Sequence, residues 1–394
     1  MAAEVLSAQG FQVDLYEHMP SVGRKLLLAG RSGLNLTNSD SVEEMVARFV
    51  TAPLVADAVR RYPPAALREW AAGLGEATYV GSSGRVFPAA FRATPLLRAW
   101  VARLIGLGVS IHVRHRWLGW GTGSGGELDP RAHCFQTSAG RVIDTRSDVT
   151  VFALGGASWP RVGSDGAWVP NFIAAGLDVR VLRPSNCALH VGWSHVFAER
   201  YAGVPLKNTA VSVGETTARG DITITADGIE SGPIYMVSSE VRDDIDRTGT
   251  CSLTVDLHPD LAVDAVADRL SRGRPKDSVS TLLRRSLGLS PVAIALLREA
   301  TGNALPNDPR QLAHLIKSVP LEVESVASLA RAISTAGGLS FDELDEQFMV
   351  RSLPGTFVAG EMLDWEAPTG GYLLQASFST AVAAALGAVA WSAS

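Results

Sequence analysis

Two apolar runs, far apart in the chain, each end at a glycine-containing turn. Asp148–Leu154 is rich in β-branched residues and stops at Gly155-Gly156, and Thr356–Ala359 stops at Gly360-Glu361. Apolar strands that end at a glycine turn are typical of buried parallel sheets in α/β proteins. The predicted fold class is therefore α/β, with one domain built from two separate pieces of the chain.

The pattern between these runs changes near Pro184. Short strand-like segments with turn residues between them predict a small antiparallel sheet or β-barrel over residues 185-258, and helical periodicity follows over 259-320. A chain of 394 residues suits more than one domain. We predict a first domain piece at 1-184, an inserted substrate or cap domain at 185-330, and a second piece of the first domain at 331-394.

The first residues resemble part of a dinucleotide-binding unit. A helix ending at Gly10 precedes a strand that ends at Glu17. Such a unit needs a strand and a G-x-G-x-x-G turn before that helix, with the acid about 20 residues past the glycines. We expect the missing strand and glycines to lie upstream of Met1, which would make the chain N-terminally truncated. The literal match Gly121-x-Gly123-x-x-Gly126 is predicted to be a loop, because Pro130 prevents a helix there.

Charge and residue spacing disfavour several classes of protein. The net charge of −5 argues against nucleic-acid binding, which needs a surplus of Lys and Arg. The three cysteines form no metal or disulfide pattern, and the eight histidines show no metal-ligand spacing. We find no apolar segment of the ~18 residues that a membrane span needs and no signal peptide. We expect a cytoplasmic protein without a membrane partner or a metal.

Several glycine-rich and polar segments occur in a particular order: Gly23-Arg24-Lys25, Gly30 to Asn38, Ala153 to Ser158, Thr335 to Gly338, Gly360 to Asp364 and Thr369 to Gln375. In this order and spacing the whole chain resembles bacterial FAD-binding flavoproteins of the aminoacetone-oxidase type. These belong to the two-dinucleotide-binding-domain NAD(P)/FAD-dependent oxidoreductases. The resemblance implies a Rossmann-like FAD-binding domain interrupted by the inserted domain.

The resemblance also implies a set of cofactor-binding residues. Glu17 matches the acid that holds the adenosine ribose, and a helix start at Gly371 would offer N–H donors to the flavin. The remaining matches are the loop Gly23, Arg24 and Lys25, the segment Ser32, Asn35 and Thr37 beneath the flavin, the turn Ala153, Gly155 and Gly156, the acidic turn Gly360, Glu361 and Asp364, and the helix start Gly370, Gly371 and Tyr372. Ser32-Gly33-Leu34-Asn35 lacks the cysteine that many relatives carry there, which excludes cysteine chemistry beside the flavin.

These implications predict an FAD-dependent oxidoreductase that transfers a hydride between a small organic substrate and flavin, with NAD(P)H or O₂ as the redox partner. The alternative is a truncated, cofactor-poor paralogue that binds partners without catalysis. No catalytic acid or base is assigned.

The roles of several other residues stay open. Arg85 is either a contact for an acidic substrate or a phosphate, or a surface arginine. Trp117, Trp120, Trp159, Trp168 and Trp193 either line a pocket over the flavin or pack in cores. Tyr372 and Trp365 are the preferred substrate contacts.

Overall fold

A computed structural model describes residues 1–31, 33–49, 51–123, 125–274 and 276–393. The chain divides into two compact units. Unit 1 comprises Met1–Arg183 and Ser334–Ser394, and unit 2 comprises Pro184–Ile333. Each unit has its own hydrophobic core.

The elements follow one another along the chain in three stretches. The first piece of unit 1 contains α1 (Ala2–Ala8), β1 (Asp14–Glu17), α2 (Arg24–Ala29), β2 (Thr37–Asn38), α3 (Val42–Val46), α4 (Pro53–Arg61), α5 (Pro64–Gly73), β3 (Thr78–Val80), β4 (Arg85–Pro88), α6 (Ala93–Gly106), β5 (Ser110–Val113), β6 (His115–Thr122), β7 (Leu128–Thr137), β8 (Val142–Arg146), β9 (Thr150–Phe152), α7 (Val169–Ala174) and β10 (Val179–Ser185). Unit 2 contains β11 (Leu189–His190), α8 (His195–Tyr201), β12 (Pro205–Val213), β13 (Thr216–Ile224), β14 (Gly228–Glu230), α9 (Gly232–Thr248), β15 (Cys251–Asp256), α10 (Val263–Ser271), α11 (Val279–Leu287), α12 (Pro291–Ala300), α13 (Pro309–Lys317), β16 (Val319–Val323) and β17 (Ser325–Val326). The second piece of unit 1 contains β18 (Ser334–Leu339), β19 (Thr356–Val358) and α14 (Tyr372–Ser392).

Unit 1 contains two parallel strand pairs, and the second joins the two pieces of the chain. β1 pairs with β5, and β9 pairs with β19 in the register Phe152↔Val358. The two apolar runs of the sequence are therefore parallel strands, as predicted, and the structure shows that they are neighbours. Three-stranded antiparallel sheets β2-β4-β3 and β6-β7-β8 and the pair β10-β18 complete the strands of this unit.

The G-x-G-x-x-G match begins within β6 at Gly121, and Gly123 and Gly126 lie between β6 and β7. Gly123 donates its N–H to the carbonyl of Glu127 at 2.8 Å, which closes this hairpin turn. Pro130 lies within β7, and no helix begins at the described residues of the match. The prediction of a loop without a phosphate-binding helix is confirmed.

Helix α14 corrects the expectation that no segment is long enough to cross a membrane. It has 21 residues, and its most apolar window has a mean hydropathy of 1.6. Length and composition alone would therefore allow a span, but 56% of that window is buried inside the protein. The helix packs against α1 and α4. Its buried Gln375 and Ser379 both donate to the carbonyl of Tyr62 at 2.8 Å, which satisfies polar groups at the end of α4. These contacts are typical of a core helix.

Unit 2 is built on a seven-stranded sheet with the order β16-β15-β12-β13-β14-β11-β17. In the described part of the chain its edge strands β16 and β17 do not pair, so the sheet is open and the predicted barrel alternative is wrong. The 17-residue helix α9 lies within the segment predicted to be β-rich. Its apolar residues Ile234, Val237 and Val241 are fully buried at helical spacing, and Pro233 occupies its first turn.

His133 predicts a pH dependence of the stability of unit 1. Burial lowers the pKa of this β7 side chain from 6.5 to about 4. The unfolded chain takes up a proton as the pH falls through about 6.5, whereas the folded chain stays neutral to about pH 4. The unfolded state then binds more protons than the folded state. The free energy of unfolding therefore decreases as the pH is lowered through this window, by about 2 kcal/mol at roughly pH 5.

Denaturant titrations across this window check that expectation, with His133→Gln as the comparison. The free energy of unfolding of the variant should depend less steeply on pH, because the protonation of His133 no longer contributes. Parallel pH profiles for the two proteins would contradict the assignment.

Candidate active site

A cavity of about 280 Å³ lies where β1 and β9 end. Glu17 is the last residue of β1, and Ala153, Leu154 and Gly155 follow β9. Open α/β sheets bind ligands outside the carboxyl ends of their strands. The cavity is lined by Tyr16, Glu17, His18, Gly23, Arg24, Lys25, Leu26, His115, Arg116, Trp117, Phe135, Ala153, Leu154, Gly155, Val162, Gly163, Ser164, Asp165, Ala167 and Trp168.

The Glu17 carboxylate is held in place by the chain that follows it. Its Oε1 accepts the N–H of Met19 at 2.8 Å, and His18 Nδ1 lies 3.6 Å from the same oxygen. Gly163 has a φ of +112°, and a Cβ there would lie 3.0 Å from the Met19 side chain. A glycine at position 163 therefore lets a second loop approach this end of the cavity.

Aromatic rings form part of the cavity wall. Tyr16 stacks on Phe135 with ring centroids 4.1 Å apart. Trp117 and Trp168 also line the cavity. Trp120 packs edge-to-face on Trp117, and both contact Phe152. Trp193 belongs to unit 2 and packs on Phe197. Trp117 and Trp168 therefore belong to the cavity wall, Trp120 packs against aromatic residues of unit 1, and Trp193 packs within unit 2.

Lys25, in α2, connects three other segments of unit 1. Its Nζ donates to Glu361 Oε2 at 2.6 Å, to Ser158 Oγ at 2.8 Å and to Ser164 Oγ at 3.3 Å. The second oxygen of Glu361 accepts the N–H of Thr335 at 2.9 Å. Both oxygens of the Glu361 carboxylate and the Lys25 ammonium group are therefore hydrogen-bonded to other groups of the protein. We call Lys25, Ser158, Ser164, Thr335 and Glu361 the lysine network.

The glycine turn after β9 is shaped by this network. Gly155 has a φ of +75°, a conformation that favours glycine. A Cβ at Gly156 would lie 2.2 Å from Thr335 Oγ1, so only glycine fits there. The same Thr335 oxygen accepts the N–H groups of Ala157 at 2.9 Å and Ser158 at 3.2 Å.

A second group of predicted residues surrounds the start of α14. Asn38 Nδ2 donates to the carbonyl of Gly370 at 3.0 Å, and Thr37 Oγ1 donates to Gln375 at 2.7 Å. A Cβ at Gly371 would lie 2.3 Å from the Thr37 backbone. Tyr372 donates its hydroxyl hydrogen to Asp40 at 2.7 Å, and burial together with this bond raises the pKa of Tyr372 to about 12.

The structure brings most of the predicted residues into two groups. Glu17, Gly23, Arg24, Lys25, Ala153 and Gly155 line the cavity, and Gly156, Gly360 and Glu361 belong to or adjoin the lysine network. Thr37, Gly370, Gly371 and Tyr372 form the second group and do not line the cavity. Asn35 lies between Leu34 and Leu36, which are fully buried. Ser32 lies outside the described residues.

The segment after β19 holds two further predicted residues. Burial raises the pKa of Asp364 above its usual value, and its N–H donates to the carbonyl of Leu339 at 3.0 Å. Trp365 is 4% exposed and donates its indole N–H to the carbonyl of Gly360 at 2.8 Å. Trp365 is therefore a core residue that fixes the Gly360 turn, and the expectation of a substrate contact there is wrong.

Sequence analysis did not assign Ser158, Ser164, Thr335 or Asn38 to the site. Ser158 and Thr335 lie inside motifs that carried the resemblance, and Asn38 ends one of them. Their polar side chains within these motifs were the available signal. Ser164 lies outside the motifs that carried the resemblance, and only the fold brings it to Lys25.

Three buried polar atoms on cavity-lining or predicted cofactor-binding residues lack a partner among the described residues. Arg24 Nε and Trp117 Nε1, both on cavity-lining residues, and Asn35 Oδ1 are buried without a hydrogen bond. Buried polar groups normally have partners, so these atoms fit a site that is completed by a polar ligand. Across the described residues, no cluster of three or more His, Cys, Asp or Glu side chains could hold a metal ion. The strand-end carboxylate of Glu17, the buried Nε of Arg24 and the glycine turn at Gly155 are groups that fit a dinucleotide such as FAD.

Comparison with known proteins gives consistent matches along the whole chain. The family model described as HI0933-like protein Rossmann domain matches residues 1–387. A 3-dehydro-bile acid delta(4,6)-reductase from Clostridium scindens is 24% identical over 385 residues, which are 94% of this chain and 90% of that protein.

Two solved structures share the fold at low identity. The 3-ketosteroid delta1-dehydrogenase from Sterolibacterium denitrificans has a TM-score of 0.52 at 13% identity, covering 99% of this chain and 97% of that one. The 3-ketosteroid-delta4-(5alpha)-dehydrogenase from Rhodococcus jostii RHA1 has a TM-score of 0.50 at 14% identity, covering 99% and 94%. The predicted α/β fold with a Rossmann-like FAD-binding domain is confirmed. The chain therefore belongs to the HI0933-like Rossmann-domain family.

Proposed function

We propose that unit 1 binds FAD and that the protein is an FAD-dependent oxidoreductase. It would transfer a hydride between a small organic substrate and flavin, with NAD(P)H or O₂ as the redox partner. The observation that carries this proposal is the cavity at the ends of β1 and β9, where Glu17, Arg24 and the Gly155 turn meet. An acid at a strand end, a cation and a glycine turn are the groups that dinucleotide recognition uses.

The names of similar proteins support the reaction class. The Clostridium scindens relative is a reductase, and the two solved structures are dehydrogenases. Reductases and dehydrogenases move hydride in opposite directions, so the names support the class of reaction and leave its direction open. The finer resemblance to aminoacetone oxidases stays a prediction, as do the bacterial and cytoplasmic assignments.

FAD, when bound, supplies the hydride-carrying ring. The protein's own residues would bind and orient it. The Glu17 carboxylate, already positioned by the Met19 N–H, would accept hydrogen bonds from ribose hydroxyls. Arg24 would neutralise phosphate charge beside the left-handed turn at Gly155. The first turn of α14 carries no side-chain cap, so its N–H groups would remain available to an electron-rich ligand edge.

Purification of the full chain with an absorption spectrum tests this proposal. A flavin spectrum, or its recovery on titration with FAD, supports it. A folded, colourless protein that does not bind added FAD would contradict it and would favour the alternative of a cofactor-poor binding paralogue.

Glu17→Gln should weaken FAD binding about tenfold, because a charged acceptor is replaced by a neutral one. Fluorescence titration with FAD measures the change in Kd. Glu69→Gln, an exposed acid on α5, is the matched control and should leave the Kd unchanged. Equal Kd values for Glu17→Gln and the unaltered protein would remove Glu17 from the proposed site.

A further inference from the structure

The outer face of the small sheet β2-β4-β3 combines a cation with a row of aromatic rings. Arg85 and Phe87 are two residues apart on β4, so their side chains share one face. Phe87 pairs directly with Tyr79 on β3, and their ring centroids lie 5.8 Å apart. Phe91 continues the row, with its ring 5.2 Å from that of Phe87. We call Arg85, Tyr79, Phe87 and Phe91 the aromatic face.

This face remains open to solvent although its rings are apolar. Tyr79 is 44% exposed and Phe91 is 42% exposed. On the opposite face of β4, Val86 is fully buried, so one side of the sheet covers the core and the other is uncovered. Aromatic rings that lie together and uncovered are a feature of surfaces that bind apolar molecules.

Phe91 is held in place at a conformational cost. Its φ is +60°, which is uncommon for a bulky residue and recurs at binding sites. Its ring covers Gly33, where a Cβ would lie 2.3 Å from the ring. The aromatic row therefore begins beside the segment predicted to lie beneath the flavin.

Arg85 adds charge to one end of the face. No hydrogen bond or ion pair engages its guanidinium group among the described residues. It pairs in register with Asn38, whose amide is bonded to the carbonyl of Gly370. An unengaged guanidinium group recognises a carboxylate through paired hydrogen bonds. The cation thus stands at the end of the face that is nearest to the start of α14.

We propose that the aromatic face binds the substrate, and that this substrate is a flat apolar molecule with a carboxylate group. The rings would stack on the apolar body, while Arg85 would bind the carboxylate roughly 7 Å along β4 from Phe87. This proposal rests on the proposed oxidoreductase function, because it names the substrate class of the same unit.

Binding of 2-naphthoate to the full-length protein, compared with its neutral analogue 2-naphthamide, tests the proposal. Fluorescence titrations should give a Kd for 2-naphthoate about tenfold lower than for 2-naphthamide. Arg85→Met should remove this preference, and Arg85→Lys should restore part of it. Phe87→Ala should raise the Kd values of both probes by a similar factor. Arg98→Met, at an exposed arginine on α6, is the control and should change neither Kd.

The proposal would be overturned if the unaltered protein binds neither probe or binds both equally well. It would also be overturned if Arg85→Met still binds 2-naphthoate more tightly than 2-naphthamide. FAD binding is titrated separately on each protein. Loss of FAD binding with naphthoate binding retained would reject the oxidoreductase function alone. Retained FAD binding, with no preference for 2-naphthoate over 2-naphthamide, would reject only the proposed substrate class.

Discussion

Glu361→Ala should lower the free energy of unfolding by about 2 to 3 kcal/mol and weaken FAD binding about a hundredfold. The Glu361 carboxylate is 16% exposed, and its partner Lys25 is 31% exposed. Removal of the carboxylate leaves a largely covered ammonium group that keeps only its serine partners. The loss exceeds that of an exposed ion pair, which is worth at most about 1 kcal/mol.

The effect on FAD binding follows from what the lysine network positions. Without Glu361, the N–H of Thr335 loses its acceptor, and Thr335 in turn accepts the N–H groups of the turn after Gly156. That turn borders the cavity, so its displacement would disorder a preorganised binding surface. Preorganisation contributes to affinity because a fixed site does not have to be ordered when the ligand binds.

A double-mutant cycle separates the ion pair from general damage to the fold. Lys25→Met, Glu361→Ala and the double variant are compared by urea unfolding and by FAD titration. The two single changes should not be additive, since each removes the same contact. Glu346→Ala, at an exposed acid, is the control and should change stability by less than about 0.5 kcal/mol. Fully additive effects of the two single changes would show that the pair is not coupled.

The sequence was sufficient to predict the elements whose pattern is local. The apolar runs before Gly155 and Gly360 predicted two strands, and these strands pair in parallel. Glu17 was recognised as the acid that ends a predicted strand, the family resemblance assigned it to the cofactor site, and it lines the cavity. Such signals survive because strand periodicity, glycine turns and strand-end acids depend on residues close together in the chain.

Features that depend on distant residues were not predictable. Ser164 reaches Lys25 only because the chain returns after β9, and no spacing in the sequence encodes that approach. Helix α9 was missed although its buried apolar residues occur at helical spacing, because the segments on either side of it are strand-like. Trp365 is an aromatic residue that directly follows the acidic turn of the resemblance, which suggested a substrate contact. Its burial and its hydrogen bond to Gly360 instead follow from tertiary packing. Propensity is a weak guide where packing decides.

Gly371→Ala should destabilise unit 1 by about 4 kcal/mol or more, the largest effect expected of any single change considered for this chain. Gly371 is the N-cap of α14 and has a φ of +101°. A Cβ would lie 2.3 Å from both the carbonyl carbon and the carbonyl oxygen of Thr37, which are backbone atoms that a rotamer change cannot move. The substitution therefore combines left-handed strain with a backbone clash.

Relief of this clash requires β2 and the start of α14 to separate, which would break two hydrogen bonds between them. These bonds join Asn38 to Gly370 and Thr37 to Gln375. Gly108→Ala isolates the conformational part of the penalty. Gly108 has a φ of +84°, but nothing lies within 4 Å of a Cβ there, so this control should cost only about 1 kcal/mol. Urea unfolding of the two variants measures the difference. Equal destabilisation by Gly108→Ala and Gly371→Ala would show that β2 does not press against the first turn of α14, and the arrangement of the second group of site residues would then be wrong.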